Sequence, residues 1–274
     1  MSAAERFDAR GAGVALPNGL AVLSGKGGVG KTNLVANLAV AAGALGGRVL
    51  VVDGDLGLAN VDVLLGLTPH LDLERLEGRP LADAIVEGPR GIHVLPASSG
   101  SARLAALGPR DHARLVEALS ALAPRYDLAL VDCGPGIGAT ALGFATACAR
   151  AWVVTNAEPT SLADAYATVK VLAQARPAPR TELLVNDAAS DREARETHAQ
   201  LERMALRFLG VELGFAGAVP RDARLAEAVA RQRAVVELHP SAPSSRRLID
   251  RAHALLVAAR APARAAAAPP PPPA

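Results

Sequence analysis

Ten residues, Ser24 to Asn33 (SGKGGVGKTN), carry the densest chemistry in the chain. Gly25, Gly30, Lys31 and Thr32 satisfy the spacing G-x-x-x-x-G-K-[ST], the mark of a turn whose backbone N–H groups face phosphate oxygens. The turn runs through Gly25, Gly27, Gly28, Val29 and Gly30; Lys31 supplies a cation for the β and γ phosphates, Thr32 a hydroxyl ligand for Mg²⁺, and Asn33 closes the motif. Lys26 is the unusual residue. It places a second cation inside the turn of a chain whose one other lysine is Lys170, so background lysine usage does not account for it.

Hydrolysis of a bound nucleotide also needs a held water and an acid behind the metal. Asp132, after the apolar run LALV, is placed to hold Mg²⁺ through water; Asp55, just past Asp53 on a glycine-bearing segment, is placed to orient the attacking water near the metal. The bland alternative for each is a solvated aspartate capping the next helix. Gly134, Pro135 and Gly136 form a second turn suited to a γ phosphate. The guanine-reading pattern N-K-x-D is absent, and Asn186 follows the strand LLV, where a side-chain amide can meet an adenine edge; this favours ATP over GTP. A turn-forming Asn-Asp pair is the alternative at that position.

These groups need strands to aim them. Apolar runs at Leu20 to Ser24, Arg48 to Asp53, Ile92 to Pro96, Asp127 to Asp132, Trp152 to Thr155, Glu182 to Val185 and Phe215 to Val219 predict strands. Helical patterns follow, the first over Lys31 to Ala44 and the last over Ser244 to Arg260. Strands alternating with helices predict an α/β fold: one doubly wound, mainly parallel sheet flanked by helices. The last helix is amphipathic, with Leu248, Ile249, Ala252, Leu255 and Leu256 at helical spacing; packing on the sheet is favoured over lying on a membrane surface. The chain divides into a flexible lead-in (1–18), one nucleotide-binding domain (19–260) and a disordered alanine and proline tail (261–274).

Over 274 residues the net charge is +2, which argues against a wholesale nucleic-acid coat, although nine arginines stand against four acids from Arg221 onward. Cys133 and Cys148 are too few for a structural zinc site. The N-terminus has no apolar signal core and no run is long enough to span a bilayer, so a reducing cytoplasm is the expected location.

The loop SGKGGVGKTN resembles the deviant phosphate loop of the MinD/ParA family, whose signature is an additional lysine near the loop's start, the place of Lys26. VVDGDLGLANVDVLLGL, LPASSGSARLAAL, TNAEPTSLADAYATVK and VPRDARLAEAV are similar to its branch of flagellar-number regulators of the FlhG type, over about Leu20 to Arg260. The resemblance implies a P-loop NTPase fold and an ATP-sandwich homodimer that hydrolyses slowly, as a switch. In it Lys31 and Thr32 serve their own subunit's phosphates and Mg²⁺, Lys26 reaches the partner's phosphates, Asp55 orients water, Asp132 attends the metal, and Asn186, Pro220 and Asp222 flank adenine. It also implies flagellar partners such as the GTPase FlhF or switch and export components, and reversible contact with the inner face of the plasma membrane. Two departures stand out: no DQAxxLR-like activator segment opens the chain, and the usual D-A-D reads DGD. A partition or division-site positioning ATPase binding DNA or membrane is the alternative, with Arg221, Arg224, Arg231, Arg233, Arg246, Arg247 and Arg251 as its DNA-binding face. A cluster carrier is disfavoured because Cys133 lies beside the phosphate turn and Cys148 falls in a predicted helix; a dead module is disfavoured by the intact Lys31, Thr32, Asp55 and Asp132.

Overall fold

The computed structural model describes residues 14–76 and 78–266. One sheet holds β1 (Leu16–Leu23), β2 (Val49–Gly54), β3 (Val86–Glu87), β4 (His93–Leu95), β5 (Leu128–Cys133), β6 (Cys148–Thr155), β7 (Arg180–Ala188) and β8 (Gly214–Pro220), in the order β3-β4-β2-β5-β1-β6-β7-β8. Every pairing is parallel except that of the short edge strand β3 with β4. All residues of β2 and β5 are buried, which is why VLVVDG and LALVDC read as continuous runs rather than alternating ones.

The helices are α1 (Lys31–Ala44), α2 (Val61–Leu64), α3 (Ala102–Ala105), α4 (Pro109–Leu122), α5 (Ala139–Ala147), α6 (Pro159–Gln174), α7 (Asp191–Leu209), α8 (Ala223–Ala230), α9 (Val235–Leu238) and α10 (Pro243–Ala266). α1 and α10 cover one face of the sheet and α4 to α7 the other, each over its own apolar cluster. The stripe Leu248, Ala252, Leu255 and Leu256 of α10 is buried against this core, so the helix packs on the fold, as favoured from its pattern. A side chain at Gly47 would collide with Leu256, so the glycine after α1 also admits α10.

Three boundaries differ from expectation. β1 begins at Leu16, inside the expected lead-in, because Asn18 donates to the carbonyls of Ala123 and Tyr126 (3.0 and 2.8 Å) and ties the strand's start to the turn before β5. Cys148 opens β6 rather than lying in a helix: Cys148-Ala-Arg-Ala has little β propensity, and pairing with Leu16 on β1 overrides it. α10 continues to Ala266, six residues past its expected end, where alanine favours helix. Residues 1–13 of the lead-in and 267–274 of the tail lie outside the described residues.

Trp152, the sole tryptophan, is buried in β6 and donates its indole N–H to Glu182 at 3.0 Å, which makes it an internal reporter of sheet integrity. Leu130, at the middle of β5, is fully buried. Leu130→Ala is expected to lower the unfolding free energy by about 2–5 kcal/mol, read as a lower urea midpoint in Trp152 fluorescence.

Candidate functional site

The carboxyl ends of β1, β5 and β2 lie side by side, with Val22 beside Asp132 and Asp132 beside Asp53. The phosphate loop leaves β1 at this edge. Gly28 and Gly30 have φ of 78° and 91°, the left-handed region that glycine tolerates. A Cβ on Gly30 would stand 2.5 Å from Asn186 Nδ2, and one on Gly25 would stand 2.3 Å from the Asp164 carbonyl oxygen, so the loop is pressed on α6 and the end of β7. α1 starts directly after Gly30, with no side-chain cap and no acid in its first turn; its leading N–H groups are left for an anion. The Lys31 ammonium donates to Ser24 Oγ at 2.9 Å, and burial lowers its pKa against the raising effects of Asp132, Cys133 and Asp55.

The strand-end acids divide their roles by environment. Asp53, 1% exposed, accepts from the N–H groups of Asn60 (3.0 Å), Val61 (3.1 Å) and Asp55 (3.2 Å), so it folds the following segment back on itself and caps α2. Burial, with Asp132 beside it, raises its pKa to about 7. Asp132, 2% exposed, is pushed up to about 6 by burial, opposed by the Thr32 hydroxyl and Lys31. Its Oδ1 is buried with no partner among the described residues. An orphaned carboxylate oxygen beside a threonine hydroxyl fits Mg²⁺ and its waters. No group of three or more His, Cys, Asp or Glu among the described residues is placed to hold a metal, which leaves remaining ligand positions to phosphate and water. Asp55 is half-buried, takes the Leu58 N–H at 3.3 Å, and its Oδ1 lies 3.2 Å from where a Cβ on Gly134 would be; that turn is docked by the Gly136 N–H on the Ser24 carbonyl, 2.9 Å.

A cavity of about 430 Å³ opens beside the loop, lined by Gly28, Val29, Gly30, Asn33, Asn156, Asn186, Asp187, Arg221, Asp222 and Leu225 among others. Asn186 donates to the Val29 carbonyl at 2.8 Å, fastening β7 to the loop. Asp222 lines the wall, but its carboxylate is occupied: Oδ1 caps α8 through the Arg224 N–H, and Oδ2 accepts from the Ser244 N–H and hydroxyl. Pro220 lines a neighbouring cavity against α10 instead. Asn33 accepts from Asn37, whose Oδ1 takes the Val236 N–H, linking the loop to α9. The pattern of the sequence does not single out Asn156; it marks Asp187 only as a turn partner of Asn186, and Arg221 only as part of the Pro220 to Asp222 loop and of a DNA-binding face, whereas the fold joins the two in a two-pronged ion pair (3.1 and 3.1 Å) at the rim.

Lys26 lies apart from this group. Its ammonium, 41% exposed, meets Glu158 at 2.7 Å, at the residue that caps α6. Cys133 and Cys148 are both buried, and burial raises both thiols, Cys148 to about 12; neither is a thiolate ligand in waiting.

The description of the CobQ/CobB/MinD/ParA nucleotide binding domain matches residues 20–235. The chain is 44% identical over 228 residues to the antiactivator FleN of Pseudomonas aeruginosa, covering 82% of this chain and 81% of that protein. It is 32% identical over 225 residues to the flagellum site-determining protein YlxH of Helicobacter pylori, 81% and 76% of the two chains. The crystal structure of the septum site-determining protein MinD of Pyrococcus horikoshii, complexed with Mg-ADP, superposes with a TM-score of 0.74 at 25% identity, over 87% of this chain and 96% of that one.

A buried acid with a raised pKa destabilises the fold increasingly as pH rises from the unfolded value, 3.8, through the folded one, about 6 for Asp132, and remains costly above it. Asp132→Asn in the nucleotide-free protein is therefore expected to raise Tm by about 5 °C at pH 8 and hardly at all at pH 4. The same substitution abolishes Mg²⁺-dependent turnover; calorimetry at the two pH values and a phosphate-release assay check both arms.

Proposed function

From the premise that the chain belongs to the CobQ/CobB/MinD/ParA nucleotide-binding family and is an ATPase of the MinD/ParA type, we propose that it is a switch: ATP with Mg²⁺ joins two copies and slow hydrolysis parts them. The carrying observation is the contrast between the two loop lysines. Lys31 is buried among Ser24, Asp132 and Asp55, where a bound nucleotide's own phosphates lie; Lys26 points outward and is held only by an exposed glutamate. A cation placed to miss its own site is placed to reach another. The segments framing the mouth also expose apolar side chains, Leu58 (63%), Val63 (51%), Ile137 (47%) and Val229 (44%), which a second copy would cover.

In this reading Lys31 and the first N–H groups of α1 hold the phosphates, Thr32 and Asp132 hold the metal, and Asn186 sets the floor of the base cavity. Asp55, beside the Gly134–Gly138 turn, orients the attacking water. Mg²⁺, when bound, supplies charge neutralisation on the phosphate oxygens. The regulated process is proposed to be the number or placement of flagella, supported by the identity to the P. aeruginosa antiactivator and the H. pylori flagellum site-determining protein. Flagellar proteins, the GTPase FlhF among them, are the partners that reading proposes. DNA is disfavoured by the net charge of only +2 over the chain; the arginines of the alternative face are exposed and paired, Arg221 with Asp187, Arg224 and Arg231 with Glu227 and Arg247 with Asp191, and such pairs by themselves cost little to exchange. No helix among the described residues is long and apolar enough to cross a membrane.

Sedimentation with Mg·ATP tests the switch. Wild type is expected to dimerise; Lys26→Ala stays monomeric and loses turnover, while Glu158→Ala, which removes the acceptor that holds Lys26, dimerises at several-fold lower ATP. An unchanged dimer in Lys26→Ala would remove the cross-subunit role, and an unshifted ATP threshold in Glu158→Ala would show that the Glu158 pair does not restrain Lys26.

A further inference from the structure

His112 stands in the first turn of α4, only 4% exposed, with its ring edge-on to Phe144 of α5 at 4.6 Å. It fits because α5 carries Gly143 at the contact: a Cβ there would lie 2.5 Å from the ring. The ring lies beside the backbone of Thr140, in the first turn of α5, while Nε2 is buried without a partner. Burial lowers the imidazole pKa from its ordinary value. Packing alone does not ask for histidine here, since leucine would fill the space and leave no ring nitrogen unpaired.

The contact leads toward the reacting groups. The Phe144 ring reaches Gly54, where a Cβ would stand 3.1 Å from Cε2, and Gly54 separates Asp53 from Asp55. α5 itself begins directly after Gly138, the end of the turn whose Gly134 borders Asp55 and whose Gly136 N–H is docked on Ser24. Two routes, one through a ring and one through a helix start, therefore join His112 to the position of Asp55.

We propose that His112 is a positioning residue for hydrolysis: seated in the notch at Gly143 and packed on Phe144, it fixes α5 so that Phe144 holds Gly54, and the Gly134–Gly138 turn holds Asp55, at the distance the attacking water requires. The inference rests on the reading of this site as one that hydrolyses ATP.

The test compares wild type with His112→Leu, His112→Asn and Gly143→Ala in three measurements: kcat at saturating Mg·ATP, nucleotide Kd, and Tm. His112→Leu is expected to keep Kd within about twofold and Tm equal or higher, yet lose about tenfold or more in kcat, the penalty of a misplaced reacting group. His112→Asn, which keeps a planar polar group beside the Thr140 backbone, recovers most of the turnover, and Gly143→Ala, whose methyl enters the ring's space, lowers kcat as well. Wild-type kcat in His112→Leu overturns the proposal, as does a loss of kcat matched by losses in Tm and affinity, which is what a purely structural role gives. Wild type that binds Mg·ATP without hydrolysing it overturns the reading of the site itself, and this inference with it.

Discussion

Two buried carboxylates in adjacent register, Asp53 and Asp132, sit at the ends of β2 and β5, and the working edge of the molecule is arranged around their mutual repulsion. Each is answered differently. Asp53 is met by three backbone N–H groups, which can exist only if residues 54–61 fold back over it. Asp132 is met by Lys31 and Thr32 from the neighbouring strand's loop, and still keeps one oxygen unsatisfied. Strand order makes this possible, because β5 is inserted between β1 and β2. The phosphate loop and the acidic segment are thus two responses to one electrostatic cost.

The groups that the proposed switch would move are held by weak ties. The Gly134–Gly138 turn is docked through one backbone bond to Ser24, and the 97–101 loop reaches the Asp55 segment through another, Gly100 N–H to the Gly57 carbonyl at 3.0 Å. The Lys26–Glu158 pair is exposed on both sides, and such surface pairs contribute little, so new contacts across a subunit boundary can displace it at low cost. The core behind these ties is different: β2, β5 and the Phe144–His112 contact are buried and close-packed, which supplies a rigid reference for the moving parts.

α10 shows how tertiary packing redirects a suggestive pattern. Its apolar stripe would serve a membrane surface, but the helix spends that stripe on α1 and the adjoining core. Its terminal half is fastened by Arg260, which donates to the Gly46 carbonyl (3.0 Å) and to Asp127 (3.1 Å), an acid whose pKa Arg48 and Arg260 both depress.

The amino-acid sequence by itself determined the phosphate loop, the strands that end in Asp53, Asp55 and Asp132, the parallel α/β architecture and the anomaly of Lys26, because each rests on local spacing: a glycine turn, an apolar run stopped by an acid, a helix former after a loop. Only the tertiary structure decided which acid does what. Asp53 and Asp55 are two residues apart and chemically alike, and they differ because one is enclosed by the N–H groups of Asn60 and Val61 while the other is left half open beside Gly134. It likewise gave the cavity residue Asn156, closed the Asp187–Arg221 pair at the rim, made Asp222 of the cavity wall also a fastening for α10, and brought His112 against Gly143. These depend on contacts between residues tens of positions apart, whose energies come from burial and close approach, and neither is written in the spacing of neighbours along the chain.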